Sequence, residues 1–107
     1  MMSDAGRIIF VPKKQGTLAT YTFDFTSSLG ATETISTQVT TASVWTGVDA
    51  APSALISGAA SASGSKVNQN LTGGVVGVIY TLVCSITTSL SQTLKQSAYL
   101  TIVSDVP

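Results

Sequence analysis

The chain has 107 residues, of which 44% are hydrophobic and 9% charged, and its five basic and five acidic side chains leave a formal net charge of zero. That length suits a single domain with one core, and a charge content far below the roughly 25% of a typical soluble protein implies a hydroxyl-rich surface. The cations are scattered as Arg7, Lys13, Lys14, Lys66 and Lys95, which excludes an electrostatic footprint for phosphates and argues against nucleic acid as a partner; a neutral surface instead favours association with neighbouring proteins.

The N-terminal segment MMSDAGRIIFVPKK holds one apolar run, Ile8 to Val11, too short for the h-region of a signal peptide. Synthesis in the cytoplasm is expected, and no stretch approaches the roughly 18 apolar residues of a membrane span. Residues 1–14 are read as an arm carrying a possible first strand, Arg7 to Val11, ended by Pro12, which cannot donate to a ladder.

From there the chain reads as all β, because β-branched residues and glycine dominate and no long window repeats its apolar residues at helical spacing. LATYTFDFT alternates Tyr21, Phe23 and Phe25 against Thr20, Thr22, Asp24 and Thr26, the pattern of a half-buried strand. After the SSLG turn, ETISTQVT predicts a strand with Ile35, Thr37 and Val39 on one face. Ala42 to Thr46 comes next, with Val44 and Trp45 facing opposite ways, and a GVDAAPS loop in which Gly47 and Pro52 break the pattern. ALISG and AASASG predict two short strands or one interrupted strand.

Lys66 to Thr72 alternates through Val67, Gln69 and Leu71, and Gly73-Gly74 marks the next turn. Val78 to Thr87 places Tyr80, Leu82, Cys84 and Ile86 on one face, and the SLSQ turn leads into TLKQSAYLTIV, with Ala98, Leu100 and Ile102 on one stripe. About seven strands in roughly a hundred residues predict an immunoglobulin-like antiparallel β-sandwich over residues 15–103, with residues 104–107 as a C-terminal tail. The expected core is Tyr21, Phe23, Phe25, Ile35, Val39, Leu71, Tyr80, Leu82, Cys84, Ile86, Leu100 and Ile102. At about 1.5–3 kcal/mol for each fully buried large apolar side chain, such a core offsets the ordering entropy of a small domain without a metal or disulfide.

The chain has no histidine, which removes the commonest general base and the commonest zinc ligand together. Cys84, the lone cysteine, falls mid-strand among apolar neighbours that raise a thiol's pKa, so it reads as core filler and not as a nucleophile. Asp4, Asp24, Glu33, Asp49 and Asp105 show no spacing that pairs two carboxylates across a cleft, and no calcium loop is present. The expectation is therefore a protein that is not an enzyme and needs neither cofactor nor metal. Trp45 has two readings, a core aromatic or an exposed contact residue, and the tension with Val44 makes Ala42 to Pro52 the first candidate contact region.

The run from Gly47 to Val103 carries GVDA-x-P, an SG with small residues, a Lys-Val-x-Gln strand, GGV-x-GV-x-Tyr and a final hairpin. In these features it resembles the immunoglobulin-like fiber-tail adaptor proteins of tailed bacteriophages, over about Thr20 to Val103. Gly47, Val48, Asp49, Ala50 and Pro52 match the family's central loop, and Gly73, Gly74, Gly77 and Tyr80 its late turn; Cys84 and the SLSQ turn, where a glycine is expected, depart from it. The resemblance implies a noncatalytic virion protein of the tail or neck, made in the host cytoplasm. It also implies a symmetric homo-oligomer that attaches fibers or spikes through contacts with tail, portal or fiber proteins. The candidate interface comprises Trp45, Gly47, Asp49 and Pro52 with Arg7, Lys13 and Lys14 of the arm. The alternatives are a capsid decoration protein, separable by copy number, and a carbohydrate-binding adhesin module using Trp45 and Tyr99.

Overall fold

A computed structural model of the chain describes residues 7–10 and 12–104. The rest of the expected terminal arms, residues 1–6, Val11 and 105–107, lies outside the described residues. The strands are β1 (Arg7–Ile9), β2 (Lys13–Lys14), β3 (Leu18–Asp24), β4 (Ile35–Thr46), β5 (Ile56–Ser63), β6 (Lys66–Thr72), β7 (Ile79–Thr88) and β8 (Thr93–Val103). Apart from two short 3-10 turns, Thr26–Ser28 and Pro52–Leu55, the described residues contain no helix.

Two sheets face each other. One runs β1-β8-β7-β4, with β2 also paired to β8, and the other runs β3-β6-β5. The sandwich is as expected from the alternating runs, with one difference in sense. Both N-terminal strands pair in parallel with β8, Arg7 beside Ser97 and Lys13 beside Ile102, whereas every other pairing is antiparallel. The parts of the expected arm that form β1 and β2 therefore lie along the sheet, where they cover the edge that β8 would otherwise leave open.

The core is built from the inward faces of both sheets. Phe23, Phe25, Val67 and Leu71 come from one side, and Tyr80, Leu82, Cys84, Ile86, Ala98, Leu100 and Ile102 from the other. Phe10 closes the core beside β3, its ring 4.8 Å from Tyr21 and 5.3 Å from Phe23. Strand β7 buries every second side chain, as its strict alternation predicts.

Strand β4 corrects one expectation. Ile35 pairs with Thr88 and Thr37 with Thr87, so Ser36 is an extra residue on β4. A bulge of this kind shifts the period-2 parity of the rest of the strand. Val39, expected in the core, is consequently 55% exposed, while Thr40 is buried in its place. The segment Ile56–Ser63 is one interrupted strand: Ser57 pairs with Asn70 and Ser61 with Asn68, leaving extra residues around Gly58 to Ala60. Gln69, buried opposite, donates its amide to the Gly58 carbonyl at 3.1 Å, which satisfies a group that the bulge releases from the ladder. In the SLSQ turn Ser91 takes φ 62°, the left-handed conformation for which glycine was expected.

Candidate functional site

The loop Gly47–Ala51 and the loop Gly73–Val78 meet at one end of the sandwich. They are held there by Tyr80, the second residue of β7. Its hydroxyl donates to Asp49 Oδ2 at 2.6 Å and accepts the Val75 N–H at 2.9 Å. The other carboxylate oxygen of Asp49 accepts the Ala51 N–H at 2.9 Å. These bonds, the Tyr80 hydroxyl first and the Ala51 amide second, hold the Asp49 carboxyl below its ordinary range. Burial, then the Asp49 bond, pushes the Tyr80 phenol up to about 12.

Two glycines make the close approach possible. A Cβ on Gly47 (φ 106°) would stand 2.8 Å from Val78 Cγ2, and one on Gly74 (φ 101°) 2.7 Å from Ile102 Cγ1. Either substitution combines a left-handed backbone with overlap against packed atoms. Pro52 opens the 3-10 turn whose last residue, Leu55, is buried, with its Cδ1 3.4 Å from where a Cβ on Gly74 would stand.

Lys13, expected among the contact residues, is 1% exposed. Its ammonium donates to the carbonyls of Lys14 (2.9 Å), Gln15 (3.3 Å) and Gly73 (3.0 Å), and Gln15 Nε2 donates to Gly74 O at 3.0 Å. A buried ammonium is tolerated when its protons are taken, so Lys13 fastens β2 to the Gly73-Gly74 turn and is not on the outer surface of the chain. Lys14 is exposed beside it. Arg7 lies far along the sheet, where β1 begins opposite Ser97, and is not brought together with the others.

Trp45 is the extra residue of a second irregularity in β4, between Val44 opposite Tyr80 and Thr46 opposite Ile79. The bulge puts its ring on the outer face of the large sheet, 59% exposed, and the core reading of Trp45 does not hold. It reaches across β7 to stack on Tyr99 of β8, with ring centroids 4.8 Å apart and planes at 30°.

Of the eight large apolar side chains exposed among the described residues, six gather at this end: Leu18, Trp45, Val48, Val75, Val76 and Val103. The pairing register places them there, because Leu18 lies opposite Thr72, Thr46 opposite Ile79 and Val103 opposite Lys14. Val48 at the loop tip is 86% exposed. Sequence reasoning named Trp45 and the stretch Ala42 to Pro52, which contains Val48, but not Leu18, Val75, Val76 and Val103, since only the strand pairing unites segments so distant in the chain. Monomeric proteins seldom expose large apolar side chains in one cluster, so this end is the candidate contact surface. Among the described residues no three His, Cys, Asp or Glu side chains converge as metal ligands.

The two loops that Tyr80 joins are the ones containing GVDA-x-P and GGV-x-GV-x-Tyr. Residues 13–101 match the family model of the podophage GP4 fiber-tail adaptor protein gp77. The chain belongs to this fiber-tail adaptor family. The match includes β2 through most of β8. No curated protein and no solved structure matches the chain. In this adaptor-family member, Gly47, Asp49, Gly74 and Tyr80 set the shape of one end, while Trp45, Val48, Val75 and Val76 give that end its apolar surface.

Proposed function

We propose that this protein is a noncatalytic virion component that joins tail fibers to the tail of a podophage, and that it docks on a virion protein through its apolar end. The match of residues 13–101 to the fiber-tail adaptor family carries the proposal. The exposed Trp45, Val48, Val75 and Val76 supply the surface, and the Tyr80–Asp49 bond supplies its rigidity. A preformed apolar patch with an aromatic anchor loses little conformational entropy on docking.

The strand orders support the immunoglobulin-like reading. β3-β6-β5 and β8-β7-β4 correspond to the B-E-D and G-F-C orders of that sandwich, and a tyrosine early in the F-equivalent strand bonds backbone upstream. The stacking of Trp45 on Tyr99 weighs against the glycan module, because each ring turns a face to the other and the pair makes no coplanar platform.

Copurification tests the proposal. The chain, tagged, should retain tail or fiber proteins from a lysate of cells infected by the phage that encodes it. Trp45→Ala combined with Val48→Asp should lose them while keeping a cooperative thermal transition. Retention of neither protein class by the wild-type chain, or equal retention by the double variant, contradicts it.

A further inference from the structure

Among the described residues, strand β3 is the one long edge strand of the sandwich that is regular along its whole length. It pairs with β6 from Leu18 opposite Thr72 to Asp24 opposite Lys66 without a register shift, and among the described residues it has no second strand neighbour. It contains neither proline nor lysine. The other edges are blunted in the ways natural sheets use to avoid pairing. β4 is bulged at Ser36 and again at Trp45, and its Gln38 side chain bonds the Ala60 carbonyl of the facing sheet at 3.1 Å. β5 is broken around Gly58 to Ala60, and β1 and β2 are three and two residues long.

Backbone parity shows which groups the edge offers. The Phe25 N–H donates to the Ser65 carbonyl at 2.9 Å, continuing the register that sets Phe23 opposite Val67. Bonding alternates along an antiparallel strand, so Phe23, Tyr21 and Ala19 bond β6 while Leu18, Thr20, Thr22 and Asp24 turn their backbone groups outward. The Asp24 carbonyl is already taken, by Gln96 Nε2 at 2.7 Å. Those of Thr20 and Thr22 mark the centre of the open edge.

We propose that a second copy of this chain pairs there, β3 against β3 in antiparallel sense, with the two-fold axis at Tyr21. The seven residues are self-complementary in that register. Thr20 falls opposite Thr22 of the second copy, an even-numbered pair whose outward N–H and C=O groups bond each other. On the core side Ala19 falls opposite Phe23, small against large, and the two Tyr21 rings extend the cluster of Phe10 and Phe23 across the axis. The two Asp24 carboxylates stand at opposite ends of the ribbon, roughly 20 Å apart at about 3.4 Å per residue, so no like charges meet. The contact is isologous, the usual form for a homodimer; it takes in Leu18, opposite Asp24 of the second copy, and involves none of Trp45, Val48, Val75 and Val76, which lie outside β3. The inference rests on the edge and not on the adaptor reading.

Sedimentation of the full chain from micromolar to about millimolar concentration tests it. The expected mass is twice the 10.9 kDa of one chain. Thr22→Pro removes an outward N–H that β6 does not use, a place where an edge strand accepts proline, and it should return the mass to that of one chain. Disulfide trapping does not depend on that variant folding. With Cys84 replaced by Ala, Tyr21→Cys lies at a non-bonded pair with Cα atoms about 4.5 Å apart, within disulfide reach, and should oxidise to a covalent dimer at least ten times faster than Leu18→Cys. A wild-type chain that stays monomeric, a dimer that survives Thr22→Pro, or equal oxidation at both cysteine positions overturns the proposal.

Discussion

The hydroxyl of Tyr80 and the carboxylate of Asp49, 2.6 Å apart, join two loops that each cross between the sheets into one rigid end of the sandwich. The relationship explains why a tyrosine stands where core packing alone would accept phenylalanine. Tyr80→Phe leaves Asp49 and the Val75 N–H without this partner and should cost about 1–3 kcal/mol, measured by urea unfolding. A double-mutant cycle with Asp49→Ala should show coupling, because each single change removes the same bond.

The same pair sets the pH dependence. A carboxylate held below its ordinary pKa contributes stability that is present above about pH 4 and lost as pH falls through its lower native value. Asp49 behaves so through Tyr80 and Ala51, Glu33 through Thr88 and Gly30, and Asp24 through the Thr26 hydroxyl and amide. Tyr80 runs the other way. Raised from 10.0 to about 12, it contributes fully below pH 10, and that contribution fades as pH climbs toward 12. Stability should be flat from about pH 5 to 9, and the alkaline fall should be steeper in wild type than in Tyr80→Phe. Parallel alkaline profiles for the two proteins would contradict the assignment.

The glycines of the two loops separate steric overlap from backbone strain. Gly73 has φ 66° and open space around its Cα, whereas Gly74 has φ 101° and Ile102 where its Cβ would go. Gly73→Ala should cost about 1–2 kcal/mol, the left-handed penalty alone. Gly74→Ala and Gly47→Ala should each cost more, by about 1–3 kcal/mol for overpacking, as read by thermal unfolding of the three variants.

Much of the sandwich was legible in the sequence, and the exceptions lie where an inserted residue or a long-range contact decides the place of a side chain. Tyr80, Leu82, Cys84 and Ile86 announce β7 because two-residue periodicity survives unbroken from Ile79 to Thr88. In β4 the periodicity is broken by a single inserted residue, Ser36, and nothing in ETISTQVT distinguishes a bulge from a continuous strand, so Val39 and Thr40 exchange faces. Lys13 reads as a contact residue because lysine is seldom buried. The carbonyls that hold it come partly from Gly73, sixty residues away, and no local pattern reveals them. The apolar end was half visible: Trp45 and Val48 both fall in the stretch Ala42 to Pro52, but Leu18 and Val103 join them only through the register of β3 with β6 and of β2 with β8.

The two neighbouring lysines should respond oppositely to truncation. Lys13→Ala strips three carbonyls of their donor and should cost about 2–4 kcal/mol, given 1–3 kcal/mol for each buried group left unpaired. Lys14→Ala changes an exposed side chain and should lie within about 0.5 kcal/mol of wild type. Chemical denaturation of both variants checks the contrast.

Cys84 is fully buried in the core, and burial pushes its thiol up to about 11. Native protein at pH 8 should therefore react with a thiol reagent only as fast as it unfolds. Cys84→Ala should lower stability modestly, by about 1–2 kcal/mol, through the lost packing volume.

A cryo-EM reconstruction of the tail region of the virion that carries this chain tests the central claim most directly. The adaptor assignment requires the sandwich to lie between tail and fiber, with Trp45, Val48, Val75 and Val76 buried against a virion protein. Sandwich density on the capsid surface in hundreds of copies, or a tail contact that leaves those four side chains in solvent, would contradict it.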